Sequence, residues 1–302
     1  MGRRFLGEQQ GSALVLAALM LAVLLGAAGL VIDGGTVYVQ KSRLQKAANA
    51  AALSGAQELT GAQAAVNGVV REVLLRHGEE PSLVSSQVEL GRKVTVSLRR
   101  EVKLGFSGLF GRESAPVEAR AAAEILTMGE AAGAAPLGID ESIPLEFGRQ
   151  YRLKVDQTEV SYGNFGVLAL GGTGAATYED NLKYGYKKAL KVGDIIETQT
   201  GNIADKTRGG VNERINSCPY PDGDYSHRDC TRIILIPVYK PYAQTSSQLK
   251  QVEIKGFAYF YISKPMAPKD TYIDGIFIQR AGTGIAAPGA VSRGAYAIRL
   301  TE

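Results

Sequence analysis

Histidine is nearly missing from this chain. Only His77 and His227 occur in 302 residues, so hydrolysis built on an imidazole base has almost no supply. Cysteine is as scarce. Cys218 and Cys230 are the only two, too few for a disulfide framework and enough for one bridge. A strong charge of one sign is also absent: the net charge is +4, spread along the chain, with no Lys/Arg cluster interleaved with aromatics. That excludes a nucleic-acid groove. No glycine-rich stretch ends in GK[ST], and none sits in a βαβ setting, which leaves no nucleotide-binding signature. No CxxC or HxxxH pair is present, so no zinc motif is written in the chain.

Charge is missing altogether between Glu8 and Asp33. Gly11 to Ile32 gives 22 mostly apolar positions, and at ~1.5 Å per residue this run spans the ~30 Å core of a bilayer. A cleaved secretory leader has a shorter apolar region of about 7 to 15 residues, so the length predicts a retained signal-anchor over 11–32. Gly26-Ala27-Ala28-Gly29 is the alternative, a cleavage region. A buried core helix is also apolar all round, but the basic residues before the run and the charged one after it argue against that. Arg3 and Arg4 precede the run and the first positive residue beyond it is Lys41. This asymmetry places residues 1–10 in the cytoplasm and the remainder outside. A type IV prepilin leader requires Glu five positions after its terminal Gly; counting from Gly7 gives Ser12, and from Gly2 gives Gly7. Neither fits.

Asp33-Gly34-Gly35 reads as a helix break, after which a second helix runs to about Leu59. Leu44, Ala48, Ala51, Gly55 and Leu59 recur at spacings of three and four and form a narrow face of mostly small side chains. Such a face admits another helix at close range, or packs within its own domain; both readings stand. The order of features then matters: an apolar span, Asp33-Gly34-Gly35, Tyr38, Leu44-Gln45, and Ala47-Ala48-Asn49-Ala50-Ala51-Ala52-Leu53-Ser54-Gly55-Ala56. This resembles the N-terminal domain of the TadE/TadG-like Flp pilus-assembly family of the tight-adherence system. The family run reads close to D-x-G-x-x-Y followed by L-Q-x-A-x-D-A-A-A-L-A-G-A. Asn49 stands here for a common Asp and Ser54 for a common Ala. The resemblance implies anchoring and packing without chemistry, with the lipid bilayer and other pilus-assembly proteins or pilins as partners.

Beyond it, Val66, Val69, Val70, Val73 and Leu74 predict an amphipathic helix ending at Gly78. SQVEL and KVTVSLRREV, joined at Gly91-Arg92, predict a hairpin. Pro116 to Leu126 reads as helix by its alanines and as strand by the family layout. Composition shifts near Met128: thirteen of the 14 tyrosines lie from Tyr151 onward. GEAAGAAPLGIDESIP reads as the boundary, which predicts an α+β region over 33–128, a linker over 129–145 and a β-rich extracytoplasmic domain over 146–302. RQYRLKV, CTRIILIPVY, KQVEIKGFAYFYI, YIDGIFIQRA and GAYAIRLTE are its strand candidates, and no long helical pattern interrupts them. The expected fold is α+β: a transmembrane helix, a small pilin-like α+β region, and a mostly β domain of sandwich or barrel type. Looser phrases also resemble longer family members: Gly163 to Leu168, Val192-Gly193-Asp194, Thr200-Gly201-Asn202, Ile236-Pro237-Val238 and Gly256 to Phe260.

The remaining candidates each have a plain reading. Leu170 to Thr177 (LGGTGAAT) and RAGTGIAAPG are glycine-rich surface loops. Cys218 to Cys230 encloses His227, Asp222, Asp224 and Asp229. A metal site is one reading; Asp222-Gly223-Asp224 lacks the Glu of an EF-hand, and in an exported domain a disulfide closing this loop is the simpler one. His77 falls at a predicted helix end, Glu179-Asp180 does not establish facing carboxylates, and Tyr178–Tyr186 and Tyr220–Tyr225 offer contact surface or half-buried strand edges. No nucleophile has an identifiable base. The reading is a non-enzymatic, membrane-anchored scaffold or minor pilin-like subunit of a Flp/Tad-type apparatus, without cofactor or metal, or alternatively a membrane-tethered surface adhesin or ligand-binding protein.

Overall fold

The computed structural model describes residues 10–154, 165–199, 203–244 and 249–301. Arg3 and Arg4, Gly163 and Asn164, and Thr200-Gly201-Asn202 lie outside the described residues. The elements run α1 (Gln10–Ala56), α2 (Gln63–Arg76), β1 (Leu83–Glu89), β2 (Lys93–Lys103), β3 (Ser114–Ala131), β4 (Leu137–Asp140), β5 (Gln150–Lys154) and β6 (Phe165–Val167). They continue with α3 (Ala175–Tyr184), β7 (Leu190–Lys191), β8 (Ile195–Glu197), α4 (Ala204–Asn216), β9 (Ile233–Gln244) and β10 (Leu249–Ile262), then β11 (Tyr272–Ile278), β12 (Arg280–Gly282), β13 (Ile285–Ala286) and β14 (Ala295–Leu300). The fold is α+β, a long apolar N-terminal helix followed by mostly β structure.

Helix α1 does not break at Asp33-Gly34-Gly35. Its 47 residues make a rod about 70 Å long. Two interior glycines each weaken a helix by about 0.5–1 kcal/mol relative to alanine, which the apolar run before them and the packed ladder after them outweigh. From Leu44 onward α1 lies against β2, β3 and α2. Leu44, Ala48, Ala51 and Leu59 share a core with Val66, Val70 and Leu74 of α2, with Val94, Val96 and Leu98 of β2, and with Ala119, Ala121, Ala123 and Ile125 of β3. The alternate alanines of β3 resolve the ambiguity of Pro116–Leu126. Helix propensity loses to two ladders, Val96 pairing Ala121 on one side and Ala297 pairing Leu126 on the other, and small residues facing α1 let the helix approach. The expected hairpin forms as β1–β2, with Gly91 in the left-handed region at its turn.

Among the described residues there are two seven-stranded sheets. One has the order β1-β2-β3-β14-β12, with β7 and β13 also on β3; the other has β5-β11-β10-β9-β4-β6, with β8 on β10. The division by sequence position into 33–128, 129–145 and 146–302 differs from this connectivity. Residues 129–145 hold the end of β3 and all of β4, and the C-terminal strand β14 returns to pair antiparallel with β3 in the first sheet. The second sheet is therefore an insertion between β3 and β12. A non-local pairing of this kind leaves no local mark on composition.

Strand β9 shows why the second sheet is buried on both faces. Ile234, Ile236 and Val238 join Ala258, Phe260 and Phe277 beneath α3 and α4, whereas Leu235 and Tyr239 join Met128 and Ala131 of β3 and Ala295 of β14. Period-two alternation thus feeds two cores from one strand. Helices α3 and α4 were not expected from the sequence. Helix α4 carries Gly209-Gly210, a poor helix signal, yet a Cβ at Gly210 would lie 2.7 Å from Leu182 Cδ2: the glycine lets α3 and α4 meet. This gives opposite outcomes for two glycines. Gly210→Ala lowers stability by about 1–3 kcal/mol through overpacking. Gly68→Ala on α2, with nothing within 4 Å of the new Cβ, raises it by about 0.5–1 kcal/mol. Denaturant unfolding of the two variants checks the contrast.

Candidate assembly surface

Helix α1 has two environments along one axis. From Leu14 to Ile32 its large apolar side chains are 54–75% exposed, and this stretch is long and apolar enough to cross a membrane. From Leu44 onward the helix is core. Between them stands Asp33, which is 5% exposed. Its carboxylate accepts the backbone N–H groups of Gly105 at 2.8 Å, Phe106 at 3.1 Å and Ser107 at 2.6 Å, and the Ser107 hydroxyl at 2.7 Å. All four donors belong to the β2–β3 loop. The Ser107 hydroxyl and N–H, reinforced by the N–H groups of Gly105 and Phe106, outweigh the opposing effect of burial and lower the Asp33 pKa from 3.8 to about 2. The loop is held a second way: the Phe106 ring lies over Gly29, where a Cβ would come within 2.5 Å of it.

The small-residue face lies farther along. Leu44, Ala48, Ala51 and Leu59 are buried, and a Cβ at Gly55 would sit 2.7 Å from Val70 Cγ2. Helix α2 and the first sheet of the same chain occupy this face, the intramolecular one of the two readings. Its rim is tied to the sheet by Gln45, whose Nε2 donates to the Arg120 carbonyl at 2.8 Å and to Asn49 Oδ1 at 2.9 Å, and by Lys41, which donates to the Glu118 carbonyl.

Cys218 and Cys230 are bonded, with Cα atoms 5.0 Å apart. Inside the loop they close, Tyr220 stacks on His227 at 3.7 Å between ring centroids and donates its hydroxyl to Asp229 at 2.7 Å. Asp224 accepts Ser226 and faces His227, and Asp222 pairs with Arg232 at 2.5 Å. These partners lower the Asp229 and Asp224 pKa values, through the Tyr220 hydroxyl and Ser226 respectively, and raise that of Tyr220 through its bond to Asp229. The acidic side chains are thus committed to the loop's own architecture. Among the described residues no three His, Cys, Asp or Glu side chains converge as a metal site. Arg228, which sequence reasoning passed over, reaches out of the loop to Glu58 at 2.9 Å, to the Ala281 carbonyl at 2.9 Å and to the Gln57 carbonyl. The disulfide loop therefore clamps the end of α1 to the inserted unit.

The other candidates are structural in their surroundings. Tyr178 is buried, with its hydroxyl on Thr207 at 2.9 Å, whereas Tyr184 and Tyr225 are exposed. Glu179 is held by Lys183 and Lys206 at 2.8 and 2.7 Å. LGGTGAAT is a turn that becomes the first residues of α3, and Gly174 N–H donates to Gln199 Oε1. In RAGTGIAAPG, Arg280–Gly282 and Ile285–Ala286 are strands. His77 caps the end of α2 and is exposed. The sequence signal for the loop on Asp33 was present in Gly105-Phe106-Ser107-Gly108-Leu109-Phe110-Gly111, an apolar trio among glycines where a polar hairpin turn is ordinary.

Three measurements follow. The Asp33 pKa lies below its ordinary value, so its contribution to stability is complete above about pH 4 and is lost as pH falls toward about 2. Ser107→Ala shifts that loss to higher pH, followed by the 13C shift of the Asp33 carboxyl, and Asp33→Ala speeds trypsin cleavage at Arg112 by about tenfold through local opening. Replacing both cysteines by alanine costs about 2–4 kcal/mol in the unfolding free energy.

No curated protein and no solved structure matches the chain. Residues 11–58 match the model of the family described as "Putative Flp pilus-assembly TadE/G-like", so the N-terminal helix, from its exposed apolar stretch to its packed small-residue face, is similar to the domain that this family model describes.

Proposed function

We propose that this protein is a membrane-anchored, non-enzymatic component of a Flp-type pilus-assembly apparatus, acting as a scaffold or minor pilin-like subunit. One observation carries the reading: the family match covers 11–58, the same helix that exposes an uncharged apolar stretch and then roots it in a folded body. Residues 11–32 anchor the chain in the bilayer, the N-terminus faces the cytoplasm, and the β-rich body lies outside. Leu44 to Leu59 serves the body's own core, so contacts with other apolar helices belong to the exposed 13–32 stretch, where Gly26, with open space around it, permits close approach. The body contributes a rigid platform. Its two units are joined by the shared core of Met128, Leu235 and Ala295 and by the Arg228 clamp, an arrangement suited to transmitting position rather than to turning over a substrate. Energy for assembly comes from a separate cytoplasmic ATPase, since this chain carries no nucleotide motif.

A photo-crosslinking residue at Leu24, in cells that assemble the pilus, tests this. The expected result is a chain that resists carbonate extraction, crosslinks to another apolar helix of the apparatus, and is needed for pili to appear. Pili assembled normally in its absence, with only surface binding lost, would favour the tethered adhesin instead. Release by carbonate would remove the anchor.

A further inference from the structure

Among the described residues, the β2–β3 loop carries the most exposed large apolar side chains outside α1. Leu109 and Phe110 are each 80% exposed and Phe106 is 38% exposed, although α1 and the first sheet offer cores nearby. The loop is not free to move away, because Asp33 holds its backbone at Gly105, Phe106 and Ser107, and Phe106 is seated on Gly29. Gly29 lies four residues before Asp33, about 6 Å along the helix axis, inside the stretch that has no charge. The position of these three side chains along α1 is therefore fixed by contacts, and it is the level at which the apolar helix begins.

A second feature concerns the loop's backbone. A segment can enter an apolar layer only if its own polar groups are satisfied. The N–H of Leu104 donates to the Glu113 carbonyl, Leu109 to Phe106, Gly111 to Gly108 and Arg112 to Ser107, and those of Gly105, Phe106 and Ser107 go to Asp33. Seven donors in nine residues thus have partners within the protein, in a loop whose tip would ordinarily leave them to water. Lys103 and Arg112, both exposed, stand at its base, where lipid headgroups would lie.

We infer that the β2–β3 loop is a lipid wedge: Phe106, Leu109 and Phe110 insert into the interfacial layer of the bilayer beside α1, with Lys103 and Arg112 at headgroup level. This rests on the reading of α1 as membrane-spanning and adds a second point of contact. One helix alone leaves the body free to swing and rotate about its exit point, whereas a helix with a wedge beside it defines which side of the body faces the membrane. Asp33 has a corresponding role. It is the hinge pin by which the wedge and the end of the span are kept at one depth.

The test uses the full chain in vesicles of phosphatidylcholine and phosphatidylglycerol, with an environment-sensitive fluorophore on single introduced cysteines. Leu24→Cys reports the span, Leu109→Cys and Phe110→Cys the loop, and Leu75→Cys, exposed on α2, the aqueous body. Nitroxide-bearing lipids are the quencher. The expected result is strong quenching at Leu24, quenching at both loop sites at least about half as large, since interfacial side chains sit ~5–10 Å into the boundary, and none at Leu75. Quenching at Leu24 with neither loop site affected overturns the wedge while leaving the span intact, and assigns the patch to a protein partner. No quenching at Leu24 overturns the span, and the wedge with it. If one loop variant misfolds, the other carries the result.

Discussion

An acidic side chain at the end of an apolar helix must be either solvated by water or satisfied by protein, and here it is satisfied by protein. Asp33 takes four donors from three consecutive residues of the β2–β3 loop, an anion cradle of backbone N–H groups completed by a hydroxyl. This interaction joins the two halves of the molecule. On one side lies a helical stretch whose large apolar side chains are exposed; on the other lies a sheet whose central strands are packed against the rest of α1. The bond adds to the packing of α1 from Leu44 onward a fixed contact at the very end of the apolar stretch.

The body that hangs from this point is rigid for reasons that can be traced to side-chain size. Alanines at alternate positions of β3 face the alanines of α1, so helix and sheet approach closely, and the gap is filled by Leu44, Val96 and Leu98. The C-terminal strand then completes the first sheet, and the strands of the second sheet lie in sequence between β3 and β12, with β7 returning midway to pair with the end of β3. Arg228 adds a polar clamp at the far end of α1. Its guanidinium serves three acceptors at once, which suits its planar fork of donors. The disulfide holds the loop from which it projects.

Much of the first region was legible in the sequence. The apolar run, the amphipathic α2 and the β1–β2 hairpin follow from periodicity and glycine placement, signals that depend only on near neighbours. The family resemblance rested on the same stretch that the comparison later matched. What escaped had non-local causes. The glycine pair after Asp33 looked like a stop because propensity is local, whereas helix continuity there is enforced by packing ten residues later. Helix α4 was hidden by Gly209-Gly210, glycines selected by the approach of α3. Nothing in AYAIRL tells that its partner is Leu126 rather than a neighbouring strand. The Asp33 cradle was hidden similarly, since the carboxylate and its donors are more than seventy residues apart in sequence.

The central claim is that α1 is one continuous helix that leaves the bilayer at Asp33. A nitroxide scan from Leu14 to Val39, in the full chain reconstituted in lipid, compares access to oxygen with access to a water-soluble nickel complex. The account predicts helical periodicity without interruption through Gly34-Gly35, with lipid-like access up to Ile32 and a crossover to aqueous access between Asp33 and Thr36. A break in periodicity at the glycines, or a crossover as early as Gly26, would contradict it.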